Sequence, residues 1–238
     1  MGVGKIQERD SMTPERVLSV DASRRVDEVA IKEYGISSLV LMENAARGAA
    51  DVIEVLLPER GLVWVVCGKG NNGGDGLAIA RQLDGRGYDV RVDLLATADE
   101  LSPDAKANHD IIHRAGFKIR ELKDGDIATL ESWATDWQSA SLLVDAMLGT
   151  GTTGNVREPY ASTIRMMNET GIDIVAIDLP SGLDAQTGEP GSVCIRAKTT
   201  VTFVSSKSGF LNQQAKAVLG NLHVVNLGLP RRVLEEVT

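Results

Sequence analysis

Three short clusters hold the side chains that could do chemistry: Asn71, Asn72 and Asp75, then Asp145, then Asp178 with Ser181. Asn72, Asp145 and Ser181 offer an amide, a carboxylate and a hydroxyl. Oxygen donors of this kind suit a hard cation rather than a soft metal, and one carboxylate among neutral oxygens suits a monovalent ion better than a divalent one. Asp178 follows an apolar run and precedes a Pro-Ser-Gly turn, a fitting place for a general acid–base. A turn-forming role explains the same placement of Asp178, and a capping role explains Asp145, so both readings stay open at this point.

Two glycine-rich stretches accompany these clusters. The first follows the apolar run Leu62–Cys67 and carries five glycines between residues 68 and 76. Gly68, Gly70 and Gly73 satisfy G-x-G-x-x-G, and behind them Leu77, Ala80 and Leu83 share one helical face. Strand, glycine turn and helix in this order let backbone N–H groups approach a nucleotide or phosphate. Asp75 opposes a plain dinucleotide fingerprint, because a carboxylate in the first helical turn repels an incoming anion. No Gly-Lys-Ser/Thr follows, so this is not a P-loop. The second stretch, Gly149-Thr150-Gly151-Thr152-Thr153-Gly154, offers three hydroxyls with no carboxylate before Glu158, and an anion is better placed there.

Other candidates fall away. His109 and His113 have a metal-compatible i, i+4 spacing but lack a third ligand, and an exposed helix face explains them. His223 lies in a strand without a recognisable partner. Ser181 lacks the G-x-S-x-G elbow of a hydrolase nucleophile. A net charge of −8 without a basic run argues against nucleic acid and anionic membranes, and 4% aromatic residues leave little for base stacking. Cys67 and Cys194 read as reduced, buried thiols. With no apolar stretch of spanning or signal-peptide length, a soluble cytoplasmic protein is expected.

The elements that position these clusters alternate. A helix is expected from Ser19, carried by Val26, Val29, Ala30 and Tyr34 and stopped at Gly35. A second, capped by Ser37 or Ser38, runs to Pro58. This pair either packs on the sheet or forms a subunit contact; within it, Glu43 and Asn44 read equally as an exposed face or a buried hydrogen-bonding pair. After the Leu62 strand come strands at Tyr88–Leu95, Phe117–Leu122, Ala140–Met147, Ile172–Ile177, Thr199–Val204 and Leu222–Asn226. Helices at Ser102–Ala115, Asp126–Asp136 and Tyr160–Asn168 separate them. Apolar strands without alternation predict an α/β fold whose mostly parallel sheet is covered on both faces. Residues 1–18 read as a flexible arm and 19–238 as a single domain. Ligands of open α/β sheets bind outside the carboxyl ends of the strands, and all three clusters fall at that edge.

In this order the motifs resemble those of the NAD(P)H-hydrate epimerase (YjeF N-terminal domain) family. They are Leu41-Met42-Glu43-Asn44-Ala45, Gly70-Asn71-Asn72-Gly73-Gly74-Asp75-Gly76, Asp145-Ala146-Met147-Leu148-Gly149-Thr150-Gly151, Asp178-Leu179-Pro180-Ser181-Gly182 and Lys207-Ser208-Gly209. Lys198 departs from the family, which has an acidic residue there. The resemblance implies a Rossmann-like three-layer αβα sandwich that interconverts the R and S forms of NADHX and NADPHX, cofactors hydrated at C6 of the nicotinamide ring. It implies that Asn71, Asn72, Gly73, Gly74, Asp75, Gly149, Thr150, Gly151, Thr152, Thr153, Gly154, Asn155, Tyr160 and Asp178 contact the substrate. Asn72, Asp145 and Ser181 would hold a potassium ion. Asp178 is then expected to protonate a departing C6 hydroxyl, with ring opening as the rival route. A separate ADP- or ATP-dependent NAD(P)H-hydrate dehydratase would be the functional partner, and a homodimer is compatible with the family. The alternatives are a non-catalytic nucleotide-binding or dimerising scaffold of the same fold and an NAD(P)-dependent oxidoreductase.

Overall fold

The computed structural model describes residues 16–152 and 154–237. The chain opens with β1 (Val17–Leu18), α1 (Val20–Lys32), α2 (Ser38–Leu56), β2 (Leu62–Cys67) and α3 (Asn71–Asp84). Next come β3 (Asp89–Leu94), α4 (Pro103–Arg114), β4 (Ile119–Glu121), α5 (Ile127–Trp137), β5 (Leu142–Ala146) and α6 (Tyr160–Glu169). The last third holds β6 (Ile174–Ile177), β7 (Thr199–Phe203), β8 (Ser206–Lys207), α7 (Gln213–Leu219), β9 (Asn221–Val225) and α8 (Arg231–Glu235).

Seven strands form one parallel sheet in the order β4-β3-β2-β5-β6-β7-β9. Its pleat divides the core in two. Along β2, Val63, Val65 and Cys67 pack with α2, α3 and α4, while Trp64 and Val66 pack with α5 and α6. Burial on both faces is why these strands read as unbroken apolar runs. The result is the expected three-layer sandwich. Among the described residues, no helix is long and apolar enough to cross a membrane.

One charged group sits inside the sheet. Asp93 of β3 is fully buried and accepts from Arg120 Nε at 2.6 Å, Arg120 Nη2 at 2.8 Å and Trp137 Nε1 at 2.7 Å. The Arg120 guanidinium stands 4.8 Å from the ring centroids of both Trp64 and Trp133, so its flat faces are covered by aromatic rings.

Several expectations change. Val17 and Leu18 belong to a strand, β1, which pairs in parallel with β8; residues 1–15 of the expected arm lie outside the described residues. The first glycine stretch is a loop only to Gly70, because α3 starts at Asn71. Its glycines answer to packing. A Cβ on Gly74 would lie 2.7 Å from Met42 Cε, and one on Gly76 would lie 2.5 Å from Ala146 Cβ and 2.8 Å from Cys67 Sγ. Glu43 and Asn44 are half-buried and bonded: Glu43 pairs with Arg81 and Gln82, and Asn44 Nδ2 donates to the Leu227 carbonyl at 2.8 Å. His109 is buried rather than exposed, stacked on His113 and 3.3 Å from carboxylate oxygens of both Asp110 and Glu121. Among the described residues, no group of three or more His, Cys, Asp or Glu side chains is placed to hold a metal ion.

Candidate active site

The site follows from the strand order. The chain leaves β2 toward β3 and β4 on one side, while β5 begins the run toward β9 on the other. The segments leaving the carboxyl ends of β2 and β5 part at this point and open a crevice. A cavity of about 650 Å³ occupies it. Asn71, Asn72, Asp75, Gly149, Thr150, Gly151, Thr152, Tyr160 and Asp178 all line this cavity, although they lie far apart in the chain.

The remaining sequence-predicted residues are placed differently. Gly73 is buried within α3, packed so tightly that a Cβ would fall on the Gly68 carbonyl, and Gly74 is buried beside it. Gly154 and Asn155 line a neighbouring pocket of about 220 Å³ that shares Leu148, Gly149 and Thr152 with the main cavity. Thr153 lies outside the described residues. Asp145 and Ser181 are fully buried and line neither cavity.

Asp178 leaves the end of β6 with φ 65°, a left-handed conformation that aspartate tolerates better than most residues. Its N–H donates to the Val201 carbonyl at 2.8 Å, which fixes the backbone against β7. Thr202 Oγ1 and Lys207 Nζ lie 3.4 and 3.5 Å from Oδ1. Asp75 comes one helical turn after the start of α3, not in its first turn as the sequence suggested. Although it borders the cavity, burial pushes its carboxyl well above the ordinary range, with Asp178, Asp27 and Asp104 adding to the rise. A shift in this direction weakens the repulsion of an anion on which the sequence reading relied.

Of the expected cation donors, two are bonded to each other and the third is unpartnered. Asp145 accepts from Ser181 Oγ at 2.6 Å, Ser181 N–H at 2.8 Å and Met147 N–H at 3.2 Å. Burial nonetheless pushes its carboxyl up to about 6, against the pull of those bonds. Asn72 is buried, and neither its amide oxygen nor its amide nitrogen has a partner. A buried, unpartnered amide is costly, and a bound ion would satisfy its oxygen.

Sequence reasoning missed one wall of the cavity. Ser23, Arg24, Asp27 and Ile31 reach it from α1, and Ser38, Leu41, Met42 and Ala45 from α2. Arg24 Nη2 donates to the Thr150 carbonyl at 3.0 Å and ties α1 to the second glycine loop. The i, i+3, i+4 spacing of Asp27 with Arg24 and Ile31 was the available signal. Lys207 also lines the cavity, and its sequence motif alone assigns it no task.

A doubly wound parallel sheet with a cavity at its switch point defines an α/β protein of the Rossmann kind. Residues 38–209 match the family described as YjeF-related protein N-terminus, and the chain belongs to that family. It is 42% identical to an NAD(P)H-hydrate epimerase of Pirellula staleyi, across 95% of this chain and 98% of that one. It is 38% identical to an NAD(P)H-hydrate epimerase of Rhodopirellula baltica, across 90% and 84%. A bifunctional NAD(P)H-hydrate repair enzyme Nnr of Moorella thermoacetica is 38% identical over 88% of this chain, which spans 40% of that protein. In structure, the chain superposes on the crystal structure of the yeast protein ynu0 with a TM-score of 0.79 at 22% identity, covering 93% of each, a likeness of fold.

Proposed function

We propose that the protein is an isomerase of cofactor repair, an NAD(P)H-hydrate epimerase that interconverts the R and S forms of hydrated NADH and NADPH. Near-full-length kinship with proteins of that name supports the reading. The observation that carries it is the convergence of Asp178, Asp75, Asn71, Asn72 and the Gly149–Thr152 segment on one cavity at the switch point. An oxidoreductase or a scaffold has no need for a carboxylate aimed into such a cavity.

In this reading the hydroxyls and backbone of Thr150 and Thr152 take the phosphates, with Gly154 and Asn155 extending the contact into the adjoining pocket. Arg24, bonded to the Thr150 carbonyl, steadies that loop. Asn72, Asp145 and Ser181 hold a potassium ion, whose charge offsets the phosphates and carboxylates around it. Asp178 transfers the proton at the C6 hydroxyl. The bifunctional repair names of longer relatives, of which this chain spans 40% and 42%, support a dehydratase as functional partner. Two free thiols, Cys67 and Cys194, fit a reducing cytoplasm.

The test mixes R and S hydrated NADPH with a stereospecific dehydratase that removes one isomer. Adding this protein should speed the disappearance of the other, followed by chromatography. Asp178→Asn should bind substrate and leave only the spontaneous rate. Near-normal turnover by that variant would overturn the assignment of Asp178.

A further inference from the structure

Lys207 is only 3% exposed, and nothing assigned so far uses it. Its Nζ donates to the carbonyls of Phe203 at 3.0 Å and Ser205 at 3.5 Å, and lies 3.5 Å from Asp178 Oδ1. The two carbonyls occupy two of its N–H groups and hold it beside the Asp178 carboxyl. Main-chain pairing sets its position: Lys207 stands opposite Leu18 in the β1–β8 ribbon, and Ser206 N–H donates to the Arg16 carbonyl at 3.1 Å. Thr202 Oγ1 reaches the same carboxylate oxygen of Asp178. Oδ2 is the free one. It has no hydrogen bond among the described residues and lies 3.5 Å from where a Cβ on Gly149 would stand, on the cavity side.

The charges around the pair are unequal. Asp27 faces it from α1 and Asp75 from α3, with Asp104 of α4 beyond Asp75. Burial pushes Asp27 to about 6 and Asp75 well above its usual range. Arg24 and Lys69 line the cavity as well, but Arg24 is bonded to Thr150 and Lys69 lies 3.5 Å from Glu100. Lys207 is the ammonium in contact with Asp178.

We propose that Lys207 is a positioning residue that pins Oδ1 of Asp178 and leaves Oδ2 facing the cavity, where it opens the reaction as a proton acceptor. This rests on the epimerase reading. The C6 hydroxyl gives its proton to Oδ2 and C6=O forms as an aldehyde. The C6–N1 bond breaks with its electron pair going to N1, and the Asp178 carboxyl delivers the same proton there. Rotation about C5–C6 and reversal of these steps closes the ring with the opposite configuration. No water, oxidant or second acid is consumed. The order of proton transfer is the reverse of the one expected from the sequence, in which Asp178 first donates to a departing hydroxyl.

The test follows R/S interconversion by the full chain in oxygen-18 water, with Lys207→Met, Lys207→Arg and Thr202→Val each checked for folding by thermal melting. Wild type should invert C6 with its original oxygen retained. Lys207→Met should lower kcat about 100-fold and leave KM within about 3-fold, as loss of an acid–base function does. Lys207→Arg should restore part of the rate. Should Lys207→Met not fold, Thr202→Val should show a smaller change in the same direction. One solvent oxygen gained per inversion, or an unchanged kcat in folded Lys207→Met or, in its place, Thr202→Val, overturns the proposal. No inversion by the wild type overturns the epimerase reading instead.

Discussion

Gly73→Ala adds one methyl group where α3 crosses the end of β2, and it has nowhere to go. The new Cβ would fall on the carbonyl oxygen of Gly68, 2.6 Å from its carbon and 3.1 Å from its nitrogen. Gly68 cannot retreat, because its N–H donates to the Ala146 carbonyl at 3.0 Å and its own face lies against Met147. In an unobstructed helix the change would gain up to about 1 kcal/mol. Overpacking costs about 1–3 kcal/mol, and loss of the Gly68–Ala146 bond adds about 1 kcal/mol. The net expectation is about 1–3 kcal/mol of destabilisation, or roughly 3–9 °C in Tm for a chain of this size. Gly151→Ala is the control, since a Cβ there meets nothing within 4 Å and its φ is not positive. It should move Tm by less than about 2 °C. Scanning calorimetry of both variants decides the matter. Equal Tm values would refute the packing argument and return Gly73 to a role in ligand approach.

Three further outcomes are expected. Arg120→Leu strands the buried Asp93 carboxylate and should cost about 3–5 kcal/mol in urea unfolding; a loss below about 1 kcal/mol would show that Asp93 is satisfied without it. Asp27, raised from 3.8 to about 6, binds its proton more tightly in the folded chain, so its destabilising effect is absent below pH 3.8 and fully present above about 6. Asp27→Asn should therefore raise Tm at pH 8 and leave it unchanged at pH 3.5, only slightly because Asp27 remains exposed to solvent; an equal gain at both pH values would refute the assignment. Potassium at 100 times its Kd should stabilise the fold by about 2.7 kcal/mol relative to a large organic cation, and Asn72→Ala should abolish that increment in a thermal melt.

What could be read from the sequence depended on how local each signal was. The runs Leu62–Cys67 and Ala140–Met147 announced strands because both faces of β2 and β5 are covered. Asp145 and Asp178 were legible as strand-end polar residues for the same reason. The start of α3 was not, because glycines at 73, 74 and 76 carry a helix penalty that only the pressed neighbours Gly68, Met42, Ala146 and Cys67 explain. Asp27 and His109 were missed or misplaced because each is defined by elements distant in sequence. Asp27 faces Lys207, and His109 is enclosed beside Glu121. The short ribbon of β1 and β8 has no periodicity to detect at two residues per strand.

That ribbon bears on the order of folding. Residues 17 and 206 pair across most of the chain, and closing so long a segment carries an entropic cost that local contacts do not, so this pairing is expected after the sheet between them. Lys207 therefore reaches Asp178 late, after the crevice has formed. During synthesis, the nascent chain should acquire a crevice able to hold a ligand before it acquires the ability to turn that ligand over.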